Sequence, residues 1–213
     1  MNFLPSPGLF AAFAAASVLL ALTPGPDMAL ILSRTVGGGR AHGFAALAGA
    51  LSGVVVHTFA AALGLSALIA ASAGAYDAVK IVGALYLVFL AWGALTRGSA
   101  LELEAAGGAA GSLRASYLAG VLINLTNPKI ILFFVTFLPQ FIDVGDAHAS
   151  GKFFVLGFSF IFIAGLINAA IVAVAGRFVA AAKASPRVLR WFDYGFAGLM
   201  GAFAARLILG AAL

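Results

Sequence analysis

Leu22-Thr23-Pro24-Gly25-Pro26-Asp27-Met28-Ala29-Leu30 and Asn124-Leu125-Thr126-Asn127-Pro128-Lys129 are the two stretches that decide how this chain folds. Each sets a helix-breaking proline and one charged residue inside an otherwise apolar run. Irregular backbone and charge at membrane depth persist only where protein or a water-filled cavity surrounds them. The pair therefore marks a candidate transport site, with one motif in each half of the chain.

Composition supplies the membrane. Hydrophobic residues make up 63% of the 213 and charged residues 9%, with a mean hydropathy of +1.12. A soluble domain carries about 25% charged residues, so this chain has too little polar surface to cover a core in water. The net charge of +5 comes from basic residues scattered between apolar spans, with no basic face for nucleic acid. There is no Cys, which excludes disulfides and thiolate metal sites. The first apolar run has no Lys or Arg before Arg34 and reads as a mature membrane span rather than a signal peptide.

A span needs about 20 mostly apolar residues. Six are expected, at about 8–32, 42–71, 76–96, 115–140, 153–178 and 191–212. The second is long enough to require tilt, a kink or protrusion. The stretch 97–114, with Glu102, Glu104, Gly107, Gly108 and Gly111, reads as a flexible loop or short surface helix. Loops one, three and five hold Arg34, Arg40, Arg97, Arg114, Arg177, Lys183, Arg187 and Arg190, against Lys80 and Lys152 in loops two and four, with Lys129 and Arg206 inside spans. That bias puts the three loops in the cytoplasm and both termini outside. Trp92 and Trp191 fall where an interfacial aromatic belt belongs. Small residues four apart, Gly39/Gly43 and Gly49/Gly53, permit close helix packing.

The expected fold is all-α and integral to the membrane: six transmembrane helices as two inverted three-helix repeats, with helices 1 and 4 broken. The whole chain, 1–213, forms one transporter domain: repeat one about 1–96, the loop 97–114, and repeat two about 115–213. Three spans per half force the second half to enter upside down, and matching broken helices are a sign of secondary transporters.

Proline fits best at the first position of a helix. Thr23 before Pro24 and Asn127 before Pro128 read as N-caps, so a half-helix is expected to start in mid-membrane in each repeat. Its N-terminus attracts an anion, and a substrate carboxylate is the natural candidate. Gly25 permits close backbone approach. Asp27 supplies the opposite charge and Lys129 is its natural partner. The two either neutralise each other or form a switchable pair into which a zwitterion inserts. The expected substrate-binding set is thus Thr23, Pro24, Gly25, Pro26 and Asp27 on one wall and Asn127, Pro128 and Lys129 on the other. Asp27 and His57 are proton-coupling candidates, and Asn124, Thr126 and Asn168 are cavity-lining candidates. Asp77 and Asp193 read as helix-start residues, Arg206 as a snorkelling residue, and His42 and His148 as loop residues. Gln140 and Asp143 are candidates for shaping an outer entrance. No enzyme motif, ATP site, metal cluster or cofactor signature occurs in the sequence. The chemical alternatives are export of a metal or inorganic ion, or a non-transport membrane enzyme or assembly factor.

The stretches LTPGPDMAL (22–30), GALYLVFLAWGAL (83–95) and GVLINLTNPKIILFFVTFLPQF (120–141) resemble the LysE/RhtB family of bacterial amino-acid exporters, in order and spacing along essentially the whole chain. The resemblance implies a multi-pass protein of the bacterial cytoplasmic membrane that exports amino acids or close derivatives, driven by the proton-motive force. Its expected partners are the amino-acid substrate, protons and the lipid bilayer, with homo-oligomer formation left open. It does not imply which amino acid.

Overall fold

The computed structural model describes residues 5–67, 73–96, 111–143, 146–175, 177 and 185–209. Residues 97–110 of the expected loop lie outside the described residues, as do Lys183 and the side chains of Asp77, Lys80 and Arg206. Every regular element among the described residues is helical.

The helices in chain order are α1 (Pro7–Leu22), α2 (Pro26–Gly38), α3 (Arg40–Ala60), α4 (Ala73–Thr96), α5 (Leu113–Thr126), α6 (Pro128–Leu132), α7 (Ala149–Ala173) and α8 (Pro186–Leu209). Two π-helical turns extend them: Ala61–Leu65 continues α3, and Phe133–Phe137 continues α6 into a 3₁₀ turn at Leu138–Phe141.

Prolines decide the breaks. α1 and α2 meet at 50°, and α5 and the run from Pro128 to Phe141 meet at 51°. Pro26 and Pro128 are the first residues of their helices and lack the N–H a continuous helix would need. α3 with its π-helical turn and α7 are long and apolar enough to cross a membrane, and each bent pair passes the same test as one span. The described residues thus hold two to four candidate spans. α4 and α8, each 24 residues, occupy the positions of expected spans three and six.

Lipid is as apolar as leucine, so helices in a membrane associate through close packing rather than the hydrophobic effect. α3 meets α5 through glycines: an added methyl at Gly49 would overlap the Tyr117 carbonyl, and one at Gly120 the Ala46 carbonyl. The Gly49/Gly53 spacing is therefore a packing seam. Gly39 differs, because its φ of +86° joins α2 to α3 through the left-handed region that glycine alone enters freely. Elsewhere the core is aromatic, with Phe13, Phe133, Phe134, Phe137, Phe153 and Phe160 buried together. Trp92 and Trp191 are exposed, as an interfacial belt requires.

Candidate functional site

Both helix breaks sit at one place in the fold. Thr23 ends α1: its hydroxyl donates to the Leu19 carbonyl at 2.7 Å and its N–H to the same oxygen at 2.9 Å. Thr23 is therefore a C-cap, not the expected N-cap of the next half-helix. Pro24 and an extended Gly25 intervene before α2 starts at Pro26, and Gly25 caps it without a side chain. The expected cap in the second motif is as read: Asn127 Oδ1 accepts from the Lys129 N–H at 3.0 Å. The difference follows from proline spacing, since the first motif has two prolines and the second only one.

Two of the hydrogen bonds that cross between the halves hold the charged residues. Asn124 Nδ2 donates to Asp27 Oδ2 at 2.6 Å, and Lys129 Nζ donates to the Thr23 carbonyl at 2.7 Å. The opposite charges are thus held by neutral partners on the opposite motif rather than by a hydrogen bond to one another. Asn124 is 1% exposed. Its Oδ1 and Asp27 Oδ1 are both buried without a hydrogen-bond partner.

These groups line a cavity of about 50 Å³, counted as space open to the centre of a water-sized sphere. Its polar wall is Thr23, Asp27, Asn124, Asn127, Lys129 and Asn168, and Gly25 adds backbone. Its apolar wall includes Leu20, Met28, Ala50, Val54, Phe160 and Ala164. A water needs about 10–15 Å³ by this measure, so the space holds a few waters.

The remaining expectations divide. Pro26 and Pro128 are exposed at their helix starts and outside the cavity wall, and Pro24 lines a neighbouring cavity instead. Thr126 does not line the cavity; it is exposed, and its hydroxyl donates to the Leu122 carbonyl at 2.9 Å within its own helix. Asn168 does line it, with Nδ2 donating to Ala164 in the same helix at 2.9 Å. His57 stands just outside the cavity wall, stacked on Phe134 with Nε2 3.3 Å from the Asn124 carbonyl oxygen. His42 is in α3 rather than a loop, 3.0 Å from Ser116 Oγ. Gln140 donates to the Thr136 carbonyl at 3.2 Å, and Asp143 is exposed. Asp193 departs most from its expected place. It lies two turns inside α8 and is 2% exposed, not at a solvated helix start. Pro186, seven residues upstream, was the available signal that the helix starts earlier.

The comparisons with known proteins fit this architecture. The family model described as LysE type translocator matches residues 18–211. A leucine efflux protein of Enterobacter sp. (strain 638) is 31% identical over 208 residues, covering 93% of this chain and 94% of its own. The leucine efflux protein of Salmonella choleraesuis (strain SC-B67) is 33% identical over 140 residues, 66% of each chain, so that match spans just under two thirds of the relative. An uncharacterized membrane protein of Vibrio cholerae serotype O1 is 32% identical over 193 residues, covering 88% of this chain and 92% of its own. No solved structure matches the chain. With the family model covering both helix breaks and nearly every residue between the termini, the chain belongs to the LysE type translocator family and is a multi-pass membrane transporter rather than an enzyme.

Proposed function

We propose that this protein exports amino acids with apolar side chains, leucine among them, from the cytoplasm across the bacterial inner membrane by alternating access at the two helix breaks. The observation that carries the reading is the reciprocal bridge, Asn124 to Asp27 and Lys129 to Thr23, around one shared cavity. A zwitterion enters by replacing both bridges: its ammonium takes Asp27, and its carboxylate takes Lys129 and the Asn127-capped helix start. The apolar wall of Leu20, Met28, Val54 and Phe160 suits an aliphatic side chain, and the relatives named leucine efflux proteins support that choice.

The domain is a single unit of two inverted repeats, about 1–96 and 115–213. Pairwise packing supports the internal two-fold: α3 on α5 answers α1 on α7, α4 packs on α8, and α3 packs on α7. The matching bends of 50° and 51° support it too. The basic-residue bias supports a cytoplasmic location for loops one, three and five, with both termini outside. Protons drive the cycle, and Asp27, which lines the cavity, is better placed to carry one than His57.

The test is export from cells fed a leucine-containing dipeptide, with and without a protonophore. Asp27→Ala and Lys129→Ala should each cut export at least tenfold at equal membrane abundance, and the protonophore should abolish it. Intact export in both variants would make this site assignment wrong. Metabolite profiling of the spent medium would identify any substrate other than leucine.

A further inference from the structure

A larger cavity lies at the corner where α2 turns into α3, against the end of α7. It measures about 580 Å³ on the measure that gives the inner cavity about 50 Å³. Thr35, Gly39 and Arg40 form one side, and Val172, Val174 and Arg177 the other. No residue lines both cavities. One helical turn separates them on each side. In α2, Ile31 lines the inner cavity and Thr35 the corner cavity, and the Thr35 hydroxyl donates to the Ile31 carbonyl at 2.7 Å. In α7, Asn168 and Val172 divide in the same way. Four residues of helix rise about 6 Å.

The partition is apolar. Ile31, Ala46, Leu47 and Val172 form a buried cluster of their own, each at most 5% exposed. Ile31 and Leu47 line the inner cavity, and Val172 lines the corner cavity. Gly43 lets the cluster close: a methyl added there would overlap the Thr35 side chain and press on Val172. Such a plug stops water and ions without an ionic lock, as hydrophobic constrictions do in channels.

The corner cavity also has a charge sign. Among the described residues, its lining holds two arginines and no acid. Arg40 comes from loop one and Arg177 from loop five, and their sharing one mouth agrees with the basic-residue bias that puts both loops in the cytoplasm. A cleft lined by one sign of charge raises the local concentration of the other, and a guanidinium fork matches a carboxylate. Both arginines are exposed, so they hold an anion weakly. Weak hold suits an entrance that must pass its ligand on.

We propose that this cavity is the cytoplasmic vestibule of the export path, where Arg40 and Arg177 collect the carboxylate of the amino acid, and that the Ile31–Leu47–Val172 cluster is the gate to the inner site. The inference rests on the export reading above. When the gate opens, the carboxylate leads the substrate from the arginines to Lys129.

The chain contains no Cys, so single cysteines report without background. The probes are two membrane-impermeant methanethiosulfonates, one anionic and one cationic, applied to inside-out and right-side-out vesicles. Val36 lines the corner cavity and is 62% exposed, and Val36→Cys should be modified in inside-out vesicles only. Ala50 lines the inner cavity. Ala50→Cys should react at least tenfold more slowly from the same side, and adding Leu47→Ala should remove most of that difference. Should Leu47→Ala fail to insert, Val172→Ala on the facing helix takes its place. Arg40→Gln with Arg177→Gln should lower the anionic-to-cationic rate ratio at Val36→Cys at least fivefold and raise the KM for leucine at least threefold. A Val36→Cys that stays unmodified, as it would against lipid, or that reacts only in right-side-out vesicles, overturns the vestibule. Equal rates at Val36→Cys and Ala50→Cys overturn the gate, and an unchanged rate ratio in the arginine variant overturns the carboxylate site. Labelling does not depend on transport. The expected labelling pattern in a protein that moves no leucine would therefore refute the export reading and keep the gated, anion-attracting mouth.

Discussion

The bond between Asn124 and Asp27 joins the two halves of the site, and its energy follows from its surroundings. At 2.6 Å, Asn124 Nδ2 is closer to Asp27 Oδ2 than neutral amide donors usually come, as expected of a charge-assisted bond. Water cannot readily replace it, because Asn124 is 1% exposed. Neutral interhelical hydrogen bonds in membranes average about 0.6 kcal/mol, whereas bonds to charged groups are worth about 1.5–3 kcal/mol. The second Asp27 oxygen is buried without a hydrogen-bond partner, and Asn127 and Lys129 also act on this carboxylate. The upper half of the charged range, about 2–3 kcal/mol, is expected. Truncating Asn124 also leaves a void beside Gly53, so a single Asn124→Ala measurement would mix packing with bonding. A cycle of Asn124→Ala, Asp27→Ala and the double variant removes that term. Chemical unfolding in mixed micelles should give a coupling energy of about 2–3 kcal/mol. A coupling at or below the neutral average of about 0.6 kcal/mol would refute the charge-assisted bond.

Gly49→Leu and Gly120→Leu should abolish stable expression, because even a methyl there overlaps a carbonyl of the facing helix, while Gly198→Ala meets nothing within 4 Å and should behave as wild type in size-exclusion profiles. Asn127→Ala removes the cap bonded to the Lys129 N–H and should cost about 1 kcal/mol in the same unfolding assay, with Asn127→Asp retaining most of it. In the loop before α7, Asp146 pairs with Lys152 and accepts from the His148 N–H at 2.7 Å. The hydrogen bond from Lys152 holds the Asp146 carboxyl below its ordinary range. A depressed carboxyl stabilises above its unfolded value of about 3.9 and loses that contribution as pH falls through the folded value. Amide exchange at His148 should therefore keep the same protection factor from pH 5 to 8 and lose protection in stronger acid.

The sequence carried the breaks because proline and charge are local signals. Pro128 starts its helix as read, whereas the first half-helix starts at Pro26 rather than Pro24, and an apolar flank makes the charges of Asp27 and Lys129 conspicuous. Side-chain direction around a helix was harder to read. Thr126 and Asn124 are two residues apart, yet one faces outward and the other the cavity, because positions two apart point roughly 200° apart around a helix. Neither π-helical turn was legible, since neither Ala61–Leu65 nor Phe133–Phe137 carries a proline or a charged residue to mark a change of helix. Asp193 was misplaced for a third reason: its burial depends on how α8 packs against α4, which no local pattern encodes.

The two charged residues of the motifs are not held equally well, and that asymmetry bears on which one moves. Asp27 sits in the first turn of α2, where the helix dipole favours a negative charge. Lys129 sits in the corresponding turn after Pro128, where the same dipole disfavours a positive one. It is kept there by the Thr23 carbonyl, an acceptor that the α1–α2 break leaves without its helical donor. The first break thus creates the acceptor that tolerates the cation of the second. A neutral carbonyl is a weaker partner for an ammonium than a carboxylate is. A substrate carboxylate therefore gains more by displacing Thr23 from Lys129 than a substrate ammonium gains by displacing Asn124 from Asp27. Substrate capture should begin at the lysine. It follows that decarboxylated leucine (isoamylamine) should bind far more weakly than deaminated leucine (isocaproate) in competition for leucine transport, and the reverse order would place the first contact at Asp27.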